Sequence, residues 1–274
     1  MRIDLQAHTT ASDGTLSPAE MVAFARDCGV DVLAITDHDT TEGVAEASEA
    51  GVGAGVEVVA GIELSCRRGG RPVHMLGLFV DPGSSGISAY TERLRAERAH
   101  RANRMVEQLN RLGYAITMEE VLAEAGRGMV GRPHVARALV ARGHIPSVSS
   151  AFSQGLLGDG GLADVPRRVL DPVEAVSEIA GWGGVAVVAH PGARHPEPVP
   201  APLIVELAEA GLTGVEVEHP DHDRTARKAL RKLAAELDLV CTGGSDCHGP
   251  HSARPGSYTT DPGQYERLRE RALG

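Results

Sequence analysis

Residues 4–20 read "DLQAHTTASDGTLSPAE", and the fold hangs on how that stretch divides. An apolar run over residues 2–6 passes into a polar loop, and the loop passes into a helix. Ser17, Pro18 and Glu20 make a capping box with proline at the first helical position, which fixes where that helix begins. The unit is strand, loop, helix, with Gln6 and His8 at the end of the strand and Asp13 in the loop.

The same rhythm recurs outward from there. Short β-branched runs near residues 32–36, 56–64, 72–80, 185–189, 214–218 and 239–243 join 2–6 to give seven strands. Helical patterns separate them, and Asp171, Pro172 and Glu174 repeat the capping box, the signature of parallel strands joined by crossover helices. Between the fourth and fifth strands the alternation stops. Residues 87–165 carry helical patterns alone, including the arginine-rich "YTERLRAERAHRANRMVEQLNRLG". The expectation is an α/β domain over residues 1–86 and 166–274, interrupted by a helical subdomain over 87–165 that caps the substrate.

A chain of 274 residues with 42% hydrophobic content buries a full core. No apolar run approaches the length of a membrane span or signal peptide, so a cytoplasmic location without membrane contact is expected. Four cysteines without a C-x-x-C pair point to reduced thiols, and Cys247 reads as a bystander. The net charge of −10 argues against a long nucleic-acid footprint, and 3% aromatic content leaves few platforms for stacking bases. Residues 91–145 nevertheless hold ten arginines against six glutamates, about +4, which leaves about −14 on the rest. A basic segment on an acidic body suits a small anionic ligand, although most of those arginines read as a solvated helix face.

The unusual polar residues fall in register with the strands. Gln6 and His8 end the first, Asp37 and His38 follow the second, Glu63 ends the third and His74 lies in the fourth. His190 follows the fifth, while Asp246 and His248 follow the seventh. One histidine after an apolar strand packs into a core without comment. Several, with carboxylates at the same end of successive strands, meet where the loops of an α/β barrel converge, and burying them together is costly unless a cation compensates. Imidazole and carboxylate ligands without thiolate suit Mn²⁺, Zn²⁺ or Fe²⁺, and the number of candidates implies two or three ions. Neighbouring ions generate a hydroxide nucleophile and clamp a phosphoryl oxygen.

At this point "DLQAHTTASDG", "LAITDHDT", "GIELS", "VHMLGLFVD", "VAHPG" and "GSDCHGP" together resemble the polymerase and histidinol phosphatase (PHP) family. The resemblance implies a distorted seven-stranded (β/α) barrel with an inserted helical subdomain and up to three metal ions. Carried onto this sequence, it places one ion with Gln6, His8, Glu63 and Asp246. A second would lie between Glu63, His74 and His190, and a third with Asp13, His38 and His248. The attacking hydroxide would then be held by ions on Glu63, Asp246 and His190, with Asp37 orienting the histidines from behind. Within the family, the insert and its "GRPHVARAL" stretch resemble the branch acting on nucleoside 3′,5′-bisphosphates and short 5′-phosphorylated RNA. Arg132 and His134 would bind the substrate phosphate there, with Arg194 assisting. A local role for the first two, capping and packing, is the plain alternative.

Position 6 departs from the pattern. The family expects His-x-His, and residues i and i+2 of a strand face one side, so Gln6 shares a site with His8. An amide oxygen is a weaker ligand than imidazole. Three outcomes are open: Gln6 ligates weakly, water takes its place, or the first ion is lost. The leading expectation is a metal-dependent phosphoesterase that converts a small nucleotide such as adenosine 3′,5′-bisphosphate to AMP and phosphate. Hydrolysis of histidinol phosphate is the alternative chemistry, and a catalytically impaired nucleotide-binding module is the alternative without catalysis.

Overall fold

The computed structural model describes residues 1–126, 130–158, 160–166, 169–193 and 197–274. One sheet takes its strands in chain order: β1 (Ile3–Asp4), β2 (Val32–Ile35), β3 (Glu57–Arg68), β4 (Arg71–Leu78), β5 (Val185–Val188), β6 (Gly214–Glu218) and β7 (Val240–Gly243). Its edges are drawn together. Leu5 N donates to Gly243 O at 3.2 Å, Asp246 N to Gln6 O at 3.0 Å and His8 N to Cys247 O at 2.9 Å, so the sheet nearly closes into a distorted seven-stranded barrel. The helices are α1 (Pro18–Asp27), α2 (Val44–Ala54), α3 (Ser85–Arg111), α4 (Met118–Ala125), α5 (Arg132–Ala141), α6 (Val148–Ser153), α7 (Pro172–Gly181), α8 (Ala201–Glu209), α9 (Arg224–Glu236) and α10 (Pro262–Leu273). Among the described residues, no helix is long and apolar enough to cross a membrane.

Strand composition explains the layering. "VLAI" in β2 is buried throughout, with Val32 and Ala34 packing among Ile3, Leu76 and Val187 inside the barrel. Leu33 and Ile35 alternate outward against Met21 and Val22 of α1. Each of the larger of these, valine, leucine or isoleucine, contributes about 1.5–3 kcal/mol by burial. Both expected capping boxes are present, at Ser17 with Glu20 and at Asp171 with Glu174.

The all-parallel expectation fails at one strand. β4 runs antiparallel to both β3 and β5. The cause is local: only Gly69 and Gly70 separate β3 from β4, with φ of 57° and 85°, a two-residue hairpin turn whose positive φ angles suit glycine. A parallel connection needs a dozen or more residues, so "RRGGR" already excluded one.

The chain folds as two compact units: Met1–Ile87 with Val169–Gly274, which is the barrel, and Ser88–Arg168, which is helical. The helical unit has its own core, in which Met105, Leu109, Val121, Val135, Leu139 and Leu157 are buried.

Candidate metal centre

Gln6 and His8 follow β1, Asp37 and His38 follow β2, His190 follows β5, and Asp246 with His248 follow β7. Two residues arrive differently. Glu63 lies midway along β3, which overshoots the rim, and His74 stands in the antiparallel β4 opposite Ser65. Neither is at a C-terminal strand end, because the β3–β4 hairpin carries the sheet past the mouth. Glu63 is nonetheless fixed at the right height by a bridge to His38: its N–H donates to Asp37 O at 3.2 Å, and its carbonyl accepts from Asp39 N at 2.9 Å.

The carboxylate of Glu63 is the centre of the constellation, and its two oxygens face different partners. Oε1 lies 2.7 Å from His74 Nδ1 and 3.0 Å from His190 Nε2. Oε2 lies 3.0 Å from His8 Nε2, 3.0 Å from Gln6 Nε2 and 3.8 Å from His38 Nδ1. Asp246 Oδ1 meets the same His8 Nε2 at 3.0 Å. Toward solvent, Asp13 stands 3.4 Å from His248 Nε2 and 3.8 Å from both His38 Nε2 and His8 Nδ1. His248 and His8 stack with ring centroids 4.3 Å apart. Gln6, His8 and Glu63 form a wholly buried floor, whereas Asp13 is half exposed at the entrance.

Ligand-type atoms here are gathered as a cation would need them. Among the described residues, three groups bring their atoms within 4.8 Å of one another: His8, Asp13, His38 and His248; His38, Glu63 and His74; His8, Glu63 and Asp246. Buried atoms without a hydrogen-bond partner concentrate in the same place, including both His8 nitrogens, Nδ1 of His38 and His74, Asp246 Oδ1 and Gln6 Oε1. Such atoms are expensive to bury unless something pairs with them. His248 Nδ1 hydrogen-bonds Asp246 O at 2.8 Å, which fixes the ring and leaves Nε2 as the nitrogen that faces Asp13 and that a cation would take once it gives up its proton. The residues fit a divalent cation.

Electrostatics follow the geometry. Burial alone would push Glu63 up, but the imidazoles of His190, His74 and His8 against its two oxygens hold it well below the ordinary carboxylate range. Asp246 is likewise held down against burial by His219 and His8. Burial opposes, yet Asp246 and Glu63 together keep His8 well above its usual value, and Glu63 lifts His190 to about 9. Asp13 is drawn down to about 2 against its own burial by His248 and His38. Backbone strain is also present at the mouth: His190, Asp246 and Asp39, which follows His38, have φ of 30°, 51° and 57°.

Among the described residues, no histidine side chain hydrogen-bonds the Asp37 carboxylate. It accepts from Thr9 N and Thr9 Oγ1 at 2.7 Å and from Ser12 Oγ at 2.6 Å, and so holds the loop between His8 and Asp13. Arg132 and His134 open α5 in the helical unit. The Arg132 guanidinium donates to Leu157 O at 3.3 Å and lies 6.0 Å from the Phe152 ring centroid. His134 Nδ1 accepts from Gly131 N at 2.9 Å, which leaves the proton on Nε2. Arg194 falls outside the described residues. The arginine-rich helix is more than a solvated face, because Arg98, Arg101 and Arg104 line a cavity with Val165, and Arg101 Nε donates to Val165 O at 2.5 Å.

Sequence reasoning passed over Glu216. It is buried in β6, accepts from His190 N at 2.7 Å and is pushed up to about 7 by burial. "VEVEH" offered two glutamates of equal standing, and period two would set them on one face. A register shift between them separates buried Glu216 from Glu218, which pairs with Arg227 and Arg231. The two histidines of "EHPDH" also part company. His222 is spoken for at both nitrogens, by Val217 O at 2.9 Å and Gly192 N at 3.0 Å. His219 Nδ1 accepts from Asp221 N, so its Nε2–H faces Asp246 Oδ2 at 3.4 Å.

Imidazoles and carboxylates clustered around one shared glutamate at a barrel mouth define a metal-dependent hydrolase. The PHP domain matches residues 4–144, and the chain belongs to that family. It is 36% identical to a phosphoribosyl 1,2-cyclic phosphate 1,2-diphosphodiesterase of Eggerthella lenta, over 92% of this chain and 96% of that one. A 5′-3′ exoribonuclease of Haemophilus influenzae is 36% identical over 91% of this chain and 90% of its own. A 3′,5′-nucleoside bisphosphate phosphatase of Chromobacterium violaceum is 32% identical over 94% and 92%. Among solved structures, a candidate metal-dependent phosphoesterase from Bifidobacterium adolescentis superposes with a TM-score of 0.78 at 36% identity, over 98% of this chain and 96% of that one. The protein is a PHP-family metal-dependent phosphoesterase.

Proposed function

We propose that the substrate is a small phosphorylated ribose bearing a second phosphoester, with adenosine 3′,5′-bisphosphate, converted to AMP and phosphate, as the lead candidate. Short 5′-phosphorylated RNA is the second. The observation that carries this reading is the division of Glu63, one oxygen toward His74 and His190 and the other toward His8, as a carboxylate shared between two cations requires. His8, Glu63 and Asp246 would hold the first ion beside Gln6, Glu63 with His74 and His190 the second, and Asp13, His38 and His248 the third. Mn²⁺, or alternatively Zn²⁺ or Fe²⁺, supplies Lewis acidity and lowers the pKa of water when bound.

The protein's own groups then bind and orient. His134, its pKa lowered first of all by burial, is neutral at pH 7 and presents Nε2–H as a donor for a phosphate oxygen. Arg132 offers the forked guanidinium geometry that phosphate prefers. His219 Nε2–H keeps Asp246 turned to the centre. The common feature of the three named relatives supports the substrate class: each acts on a ribose phosphoester.

The test is phosphate release from adenosine 3′,5′-bisphosphate across a Mn²⁺ titration, with AMP identified chromatographically. Turnover abolished by chelation supports the reading. Inertness toward this nucleotide, with turnover of phosphoribosyl 1,2-cyclic phosphate, replaces the lead substrate by the diester, the second reading that similarity to the Eggerthella protein favours.

A further inference from the structure

We infer that Gln6 serves the first ion as a hydrogen-bond donor to Glu63 and not as a ligand, leaving that ion with three protein side chains, His8, Glu63 and Asp246, and an open position. This rests on the metal-centre reading above. Gln6 is wholly buried, and its backbone is pinned by Gln6 N donating to Asp4 Oδ1 at 3.3 Å and Asp246 N donating to Gln6 O at 3.0 Å. Gly244 packs so closely that a Cβ there would lie 2.5 Å from Gln6 Cβ, so the side chain starts from a fixed point. From it, Nε2 reaches Glu63 Oε2 at 3.0 Å.

The orientation of the amide follows from chemistry. An ionised carboxylate only accepts, and turning Oε1 toward it would set two acceptors against each other. Nε2 therefore faces Glu63. An amide nitrogen has no lone pair to give a metal, since it is delocalised into the carbonyl. The Gln6 atom that faces the oxygen a first ion would share is thus a donor, in the place where the family pattern sets an imidazole. A carboxylate oxygen has room for both partners, and Oε2 accepts the Gln6 N–H while keeping a lone pair for a cation. Gln6 Oε1 is left buried without a partner. Water in the vacated ligand position would give it one. Three protein ligands plus an exchangeable position is the arrangement that distinguishes catalytic from structural sites.

Water-proton relaxation of protein loaded with Mn²⁺ counts the fast-exchanging waters on the bound ions and needs no substrate. Parallel titration of chelator-stripped protein, read by the free Mn²⁺ EPR signal, gives the number and affinity of equivalents. Gln6→His is expected to tighten one equivalent by about tenfold or more and to reduce the exchangeable waters. Gln6→Leu, similar in volume but unable to ligate or donate, is expected to leave the number of waters as in the native protein. Gln6→Met serves the same purpose where branching at Cγ is not tolerated. A gain of exchangeable water in either apolar variant would mean that Oε1 had been a ligand, and overturns the inference. An unchanged profile in Gln6→His also overturns it, by showing that position 6 faces no ion. Failure of native protein and all variants to bind Mn²⁺ would instead sink the metal centre itself.

Discussion

Asn110 in the helical unit and Gln6 at the barrel mouth carry the same functional group in opposite circumstances. Asn110 uses both ends of its amide on Ile116, donating to the carbonyl at 2.9 Å and accepting from the N–H at 3.2 Å, and so closes the turn after α3. Gln6 is paired at one end and buried at both. The contrast extends to their surroundings. Orphaned atoms do occur singly in the helical unit, Gln108 Oε1 among them, but at the mouth they are concentrated around one carboxylate. The helical unit also has a capping box at Thr117 with Glu120 and an apolar core of its own. One region is arranged to be satisfied by itself, and the other to be completed by something bound.

The sharpest way to break this comparison is Glu63→Gln. The change keeps the shape but leaves one oxygen and one amide group where two sets of imidazoles converge, and kcat/KM is expected to fall by about a thousandfold or more, roughly 4 kcal/mol. Steady-state kinetics beside a circular dichroism spectrum decides it, and near-native turnover in a folded variant would remove Glu63 from the centre. In the helical unit, Leu109→Ala should cost about 2–5 kcal/mol of stability by urea denaturation, because Leu109 is fully buried. Its Mn²⁺ equivalents should be unchanged, and lost metal binding would show that the two regions are not separate in this sense.

A pH comparison separates occupied from stripped mouths. His190 is raised from 6.5 to about 9, so in chelated protein its contribution is complete below about pH 6.5 and is lost as pH rises through about 9. Stripped protein should therefore melt at progressively lower temperature across that interval. Ligation requires neutral imidazole, so Mn²⁺ affinity should rise over the same interval and the loaded protein should not show this loss. Melting curves at pH 6 and 9, with and without chelator, test both signs. The smallest effect is reserved for Glu216. Glu216→Gln keeps an acceptor for His190 N and should cost less than about threefold in turnover, while Glu216→Ala, which removes it, should cost about tenfold. Equal losses in both would show that charge, and not the hold on His190, is what matters there.

Much of the site could be read in order along the chain, because a strand end is a place that sequence marks well. His8, His38, His190, Asp246 and His248 each follow an apolar run, and the structure brings them together around Glu63 and Asp13. Glu63 and His74 needed the hairpin. Seen as strand ends they are misplaced, and only an antiparallel β4 explains why a residue near its start faces the same mouth. Glu216 was hidden by the opposite problem. Nothing local distinguishes it from Glu218, and a bulge decides which one is buried.

The approximate strand positions, the starts of α1 and α7, the helical interruption and the residue types at the mouth were legible in the sequence alone, since each depends on periodicity or on neighbours within a few positions. Tertiary structure decided which nitrogen of each histidine is free, which oxygen of Glu63 serves which partner, and which way the Gln6 amide turns. Those choices are made by hydrogen bonds between segments far apart in the chain, as when Gly192 N claims His222 and Asp221 N leaves His219 Nε2 to Asp246. No local pattern encodes such partners, because they exist only once the barrel has closed.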